Sequence, residues 1–129
     1  MHVTKLLNQE TYMTKVYCYS RCTTCQKALI WLDSNGYKYD LIDIKTQNPD
    51  EKILRSLHKK SGLPLKKFFN TSGILYREME LSKKLPTMTE DEQFALLASD
   101  GMMVKRPLLI TDSTVIPGFK EDLWEAALK

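Results

Sequence analysis

Residues 16–31, Val16-Tyr-Cys-Tyr-Ser-Arg-Cys-Thr-Thr-Cys-Gln-Lys-Ala-Leu-Ile-Trp31, constrain this chain more than any other stretch. A short β-prone run ends in a polar turn, two cysteines three apart follow, and an amphipathic helical pattern begins at once. The mouth of a helix offers unpaired backbone N–H groups and the positive end of the helix dipole, both of which favour a thiolate. Cys22 stands at that mouth. Cys25 lies one turn further in and shares a helix face with it, so it is placed to attack a mixed disulfide formed on Cys22 and close an internal disulfide.

The rest of the chain builds around this start. Lys15 to Tyr19 reads as the first strand, and Thr23 and Gln26 have capping-box spacing for the helix that follows. Ala28, Leu29 and Leu32 form its inward stripe, and Asn35-Gly36 supplies a left-handed stop. Tyr37 to Ile44 alternates and is rich in aromatic and β-branched residues, which predicts a second strand, parallel to the first through a right-handed crossover. Asn48-Pro49-Asp50-Glu51 predicts a helix capped by Asn48, with Ile53, Leu54 and Leu57 buried and Ser61-Gly62 ending it. Leu65 to Phe69 reads as one helical turn with Phe68 and Phe69 inward, and Asn70 to Gly73 as a loop. Thr89-Glu-Asp-Glu92 is another capping box, for a helix that buries Phe94, Leu97 and Ala98 and closes at Asp100-Gly101. Two short strands, Leu108 to Thr111 and Thr114 to Ile116, precede a last helix with Phe119, Leu123 and Ala127 inward. The order is βαβ, a mainly helical insert over about residues 48–101, then ββα.

Composition sets the outer limits. At 129 residues with 43% hydrophobic and 27% charged residues, the chain has material for one core and one domain. Three cysteines, two of them in C-x-x-C, fit a reducing cytoplasmic setting better than a disulfide-stapled secreted domain. Met1 to Thr14 holds no long apolar stretch, which excludes a signal peptide or membrane span there. Residues 1–14 read as a flexible extension before a domain over 15–129, and Met13 suggests that residues 1–12 are dispensable. The net charge of +3 is a mild basic excess. With no Arg-rich stripe, zinc-finger spacing or aromatic RNA-binding signature, nucleic acid is not an expected partner, and Lys59-Lys60, Lys66-Lys67 and Lys83-Lys84 read as solvated helix ends and loops. Cys18, Cys22 and Cys25 are three potential metal ligands, but His2 lies in the N-terminal tail and His58 on a distant helix, so no metal is expected. Cys18, in a strand, reads as a small buried residue, and Trp31 and Trp124 as packing residues. Arg21 and Lys27 read either as charges near Cys22 or as a solvated helix face.

The element order, the C-x-x-C at the first strand-to-helix turn and Arg106-Pro107 opening the third strand resemble the thioredoxin fold. More narrowly, Tyr19-Ser-Arg-Cys-Thr-Thr-Cys-Gln-Lys-Ala28, Lys66-Lys-Phe-Phe-Asn-Thr-Ser-Gly73, Leu97-Ala-Ser-Asp-Gly-Met102 and Lys105-Arg-Pro-Leu108 resemble the ArsC-type arsenate reductase family, in the branch with the Spx and MgsR regulators and the glutaredoxin-like YffB and YusI proteins. The resemblance runs from about Lys15 to the C-terminus. It implies an α/β, thioredoxin-like domain with a four-stranded mixed sheet and a helical insertion, with Cys22 as the reactive thiol and Pro107 as a cis proline facing it. Main chain beside such a proline is open to a thiol substrate, and Arg106 would stabilise the thiolate and hold an oxyanion or carboxylate. Asn70, Thr71 and Ser72 would face the active cysteine and bind substrate.

Two departures from the arsenate reductases matter. Those enzymes resemble C-x-x-S at the active turn and hold arsenate with three arginines; here Cys25 is present and only Arg106 matches, with Asn70 and the neighbourhood of Gly118 at the other two positions. Each charge-assisted hydrogen bond that a missing arginine would have made is worth roughly 1.5 to 3 kcal/mol, which predicts poor arsenate affinity. The expected function is therefore a glutaredoxin-like thiol-disulfide oxidoreductase, with Cys22 as nucleophile, Cys25 as resolving thiol, no bound cofactor, and glutathione or another low-molecular-weight thiol as co-substrate. One alternative is a redox-sensing regulator resembling Spx that binds the RNA polymerase alpha subunit, for which Gly62 falls at an interaction-surface glycine as well as at a helix C-cap. The other is genuine arsenate reduction. A monomer with no membrane association is expected.

Overall fold

The computed structural model describes residues 14–129, so the readings made for residues 1–13 lie outside the described residues. The elements are β1 (Lys15–Cys18), α1 (Thr23–Ser34), β2 (Asp40–Asp43), α2 (Glu51–Ser61), α3 (Ile74–Glu78), α4 (Leu81–Lys84), α5 (Glu90–Ser99), β3 (Leu108–Ile110), β4 (Val115–Pro117) and α6 (Glu121–Leu128), with short 3-10 turns at Leu65–Phe68, Leu85–Thr87 and Gly101–Met103. The sheet order is β2-β1-β3-β4, with β1 and β2 parallel and the other two pairs antiparallel. This is the mixed four-stranded thioredoxin-like sheet, with the helical insert between β2 and β3.

The two-residue period of the central strands divides the core. Tyr17, Leu108 and Ile110 face the insertion, where they join Ile44, Leu54, Leu57, Phe68, Phe69, Phe94 and Leu97. Val16, Cys18 and Leu109 face the other way, against Cys25, Ala28 and Leu32 of α1 and Trp124 of α6. Cys18 and Cys25 therefore meet under the same face of the sheet. No helix among the described residues is long and apolar enough to cross a membrane.

Several local expectations are corrected by longer-range packing. The second strand is four residues, because Tyr37 stacks on Trp31 at 5.6 Å and the Tyr39 hydroxyl donates to Asp33 at 2.8 Å, which ties both aromatics to α1. Thr14, counted with the extension by sequence, already accepts the Asp40 N–H at 2.9 Å. Asp50, not Asn48, caps α2 by accepting the Ile53 N–H at 2.8 Å, while Asn48 donates to the Ala98 carbonyl at 2.8 Å and fastens the loop to the end of α5. Ile53 is exposed, and in α6 the buried residue is Trp124 while Leu123 is exposed. Trp124 wins that position because its ring packs on Phe119 at 4.9 Å and its Nε1–H reaches the Gly118 carbonyl at 2.9 Å. The Thr89–Glu92 capping box forms in both directions.

Candidate active site

The first turn of α1 is assembled without a side-chain cap. Cys22 is the N-cap residue, its N–H held by the Tyr19 carbonyl at 3.0 Å and its carbonyl accepting from Gln26 N–H at 3.0 Å. The expected Thr23–Gln26 box does not form; the Gln26 amide donates instead to the Ser20 carbonyl at 2.8 Å, bracing the turn. The helix mouth is thus left to the Cys22 sulfur, which is half-buried and lines an open cleft of about 1410 Å³. Arg21 and Lys27 are exposed and do not line that cleft.

Behind Cys22 the three thiols gather, all free. Cys25 is 1% exposed and Cys18 5%. The thiolate-stabilising groups of the folded chain converge on Cys25, the inner cysteine of the motif. A hydrogen bond with Cys18 is the largest influence lowering the Cys25 thiol; burial opposes it, and the Tyr19 N–H at 3.5 Å, the Cys22 thiol and the Arg106 charge assist, bringing it down to about 6. Cys18 is pushed well up by the same hydrogen bond, by burial and by the neighbouring sulfurs, so it acts as the protonated donor. The accessible sulfur and the readily ionised sulfur are therefore different atoms of the same motif.

The wall facing Cys22 comes from the insertion and the approach to β3. Phe69 bridges Val104, Asn70 N–H donates to Met103 at 2.9 Å, and Lys105 N–H donates to Phe68 at 2.8 Å, so residues 68–70 and 103–105 are laced together. Side-chain donors of Asn70 and Arg106 converge on the Met102 carbonyl at 3.5 and 3.3 Å. The Arg106 guanidinium also stands over the Tyr19 ring at 5.4 Å, and its buried Nε has no hydrogen-bond partner. Cys22, Asn70, Thr71, Ser72 and Arg106 line the cleft beside Tyr19 and Gly118, so the fold brings together expected site residues from three separate segments. The Arg106–Pro107 peptide is cis. Pro107 itself is buried and does not line the cleft, and its carbonyl accepts the Gly118 N–H at 2.7 Å.

Sequence reading misses the cations. Lys45, Lys66, Lys67, Lys105 and Lys120 line the cleft along with Arg106, against one acid among the described residues, Asp100. Lys66 and Lys67, solvated loop charges by pattern alone, lie in the 3-10 turn that presents Phe68 inward, so burying that ring aims the lysines at the cleft. No local signal links these lysines, which are scattered from position 45 to position 120; only the turn carrying Phe68 and Phe69 hints at a packed segment. His58, on α2 within the insertion, stands edge-on to Phe68 and Phe94 at 5.9 and 5.6 Å.

Comparison with known proteins accords with this geometry. The chain is 53% identical over 109 residues to the uncharacterized protein YusI of Bacillus subtilis, covering 84% of this chain and 92% of that one. It is 50% identical to an ArsC-family related protein of known structure from Bacteroides fragilis, with a TM-score of 0.89 and coverage of 93% and 100%. Global transcriptional regulator Spx 2 of Bacillus anthracis is more distant, 19% identical over 85% of this chain and 82% of the regulator. The model of the ArsC family matches residues 17–127, and the chain belongs to that family.

Proposed function

We propose that the protein is a glutaredoxin-like thiol-disulfide oxidoreductase of the ArsC family, acting in the reducing cytoplasm. The observation that carries this reading is the separation of roles within C-x-x-C: an accessible Cys22 at the helix mouth backed by a buried, acidified Cys25. The Cys22 thiolate attacks one sulfur of a substrate disulfide; a Cys22–substrate disulfide forms, the substrate S–S bond breaks, and the other half leaves as a thiolate that takes up a proton. Cys25, ionised near neutral pH, then attacks the Cys22 sulfur, forming the internal disulfide and expelling the second substrate thiol. Two electrons pass from the protein to the substrate. Two equivalents of an external thiol such as glutathione return them. Arg106 and Asn70, converging on Met102, hold the anionic part of the substrate beside Cys22, with Thr71 at the rim. No bound cofactor enters the cycle.

The test is a coupled disulfide-reduction assay on the wild type, Cys22→Ser and Cys25→Ser. Cys22→Ser is expected to abolish turnover, whereas Cys25→Ser retains the first attack and accumulates a stable mixed disulfide detectable by mass. Full activity of Cys22→Ser would overturn the assignment.

Spx 2 supports a second reading, a redox-sensing regulator that binds the RNA polymerase alpha subunit. Gly62, which that reading would use, has φ +68° and nothing within 4 Å of an added Cβ, as an exposed helix C-cap requires. Redox-dependent capture of the alpha C-terminal domain would favour the regulator. Arsenate reduction is supported less well: Arg106 is the single arginine lining the cleft, with Asn70 and Gly118 beside it.

A further inference from the structure

The whole-chain charge of +3 conceals a local concentration of cations at the cleft. Among the described residues six cationic side chains line it against one carboxylate, and that carboxylate, Asp100, is already bonded to the Met102 N–H at 2.8 Å. None of the six makes an ion pair among the described residues, although pairs do form elsewhere, as at Arg55 with Asp91 and Glu51. Lys45 and Arg106 stand over the Tyr19 ring at 5.7 and 5.4 Å, which fixes two positive charges beside the residue three before Cys22. The buried Arg106 Nε lacks a partner. Unpaired like charges repel one another, so such a collection is costly to the empty protein and favours an occupant that carries several negative charges. The cleft, at about 1410 Å³, also exceeds the roughly 300–1,000 Å³ usual for small-molecule pockets, more room than one oxyanion or a small tripeptide thiol needs.

We propose that the cleft binds the phosphorylated arm of a low-molecular-weight thiol, of the phosphopantetheine-nucleotide class, with its sulfur presented to Cys22 and its phosphates held by Lys66, Lys67 and Lys105. This substrate class rests on the oxidoreductase reading for the sulfur chemistry; the phosphate site rests on the cations alone. Phosphate suits the site because it carries up to two negative charges and three acceptor oxygens per group, which lysines reach as point charges from several directions, whereas a carboxylate offers one charge and two oxygens.

The experiment measures binding and turnover separately on the full chain. Binding of coenzyme A, glutathione and an acidic peptide to Cys22→Ser is titrated at rising salt. Coenzyme A is expected to bind at least about tenfold tighter than glutathione, weakening as salt rises, and the double variant Lys66→Gln/Lys67→Gln to lose about three- to tenfold of that affinity. Lys52→Gln, on the exposed part of α2 away from the cleft, is expected to leave binding unchanged. Equal affinity for coenzyme A and glutathione, tighter binding of the peptide, or indifference to the double substitution overturns the phosphate site. Turnover of coenzyme A disulfide, glutathione disulfide and hydroxyethyl disulfide by the wild type decides the other question. If none is reduced while the binding preference holds, the oxidoreductase reading fails and the phosphate site stands; if all three are reduced equally and no preference appears, the reading stands and the phosphate site falls.

Discussion

At the scale of the residue, the site is governed by which sulfur is reachable and which is ionised. Cys18 takes part in this through its hydrogen bond to Cys25, although strand position alone gives it only the role of a small buried side chain. The sign of the resulting pH dependence follows from the direction of the shift. Cys25 binds its proton less tightly when folded, near 6, than a free thiol does, at about 8.5, so this contribution to stability is fully present above about 8.5 and is lost as pH falls through about 6. Reduced protein is therefore expected to gain stability as pH rises through that window. Cys18→Ala removes the donor, raising the Cys25 pKa and flattening the slope; ultraviolet thiolate titration and urea unfolding at several pH values measure both. The slope is the decisive readout, since the small cavity left by the substitution lowers stability at every pH. An unchanged slope would show that Cys18 is not the donor. The cysteine motif is plain in the sequence, but the Cys18 hydrogen bond is not, because it depends on β1 and α1 packing face to face.

At the scale of the element, the two helix starts that carry capping-box spacing diverge for a physical reason. Thr89 and Glu92 close their box around an exposed helix start with nothing to compete for the donors. Thr23 and Gln26 have the same spacing, but the turn before them is already held by the Cys22 N–H on Tyr19, and the helix begins one residue earlier with Cys22 as its cap. Spacing identifies where a box can form; the preceding turn decides which residue is the cap. Thr89→Ala is expected to cost about 0.5–2 kcal/mol, seen as a lower urea midpoint with an unchanged slope, because only the cap of α5 is removed. The same reasoning explains Asn48, a cap by residue type that is instead used across 50 positions to hold Ala98.

At the scale of the whole molecule, the insertion is locked to the sheet at a few points of close approach. Gly101 is one of them: a Cβ there would collide with the main chain of Ile44, itself fully buried beneath the insertion. Gly101→Ala is expected to destabilise the protein by about 1–3 kcal/mol or more, measured by urea or thermal unfolding, since backbone must move to admit the methyl group. A stability equal to wild type would show that the loop after β2 yields easily. The sequence by itself determined the βαβ, helical insert, ββα order, the helix-mouth position of Cys22 and the Ala28 and Leu32 stripe of α1, because these follow from periods, turns and caps within a few residues; the thioredoxin-like class is what the resemblance of its motifs implied, and α3 and α4 within the insert had no bounds in the linear pattern. Tertiary structure decided which thiol is acidified, which helix residues the aromatic cluster buries, and that lysines spread from position 45 to 120 meet around one cleft. Those outcomes depend on distances between segments far apart in the chain, and a linear pattern of charge and hydrophobicity carries no record of such distances.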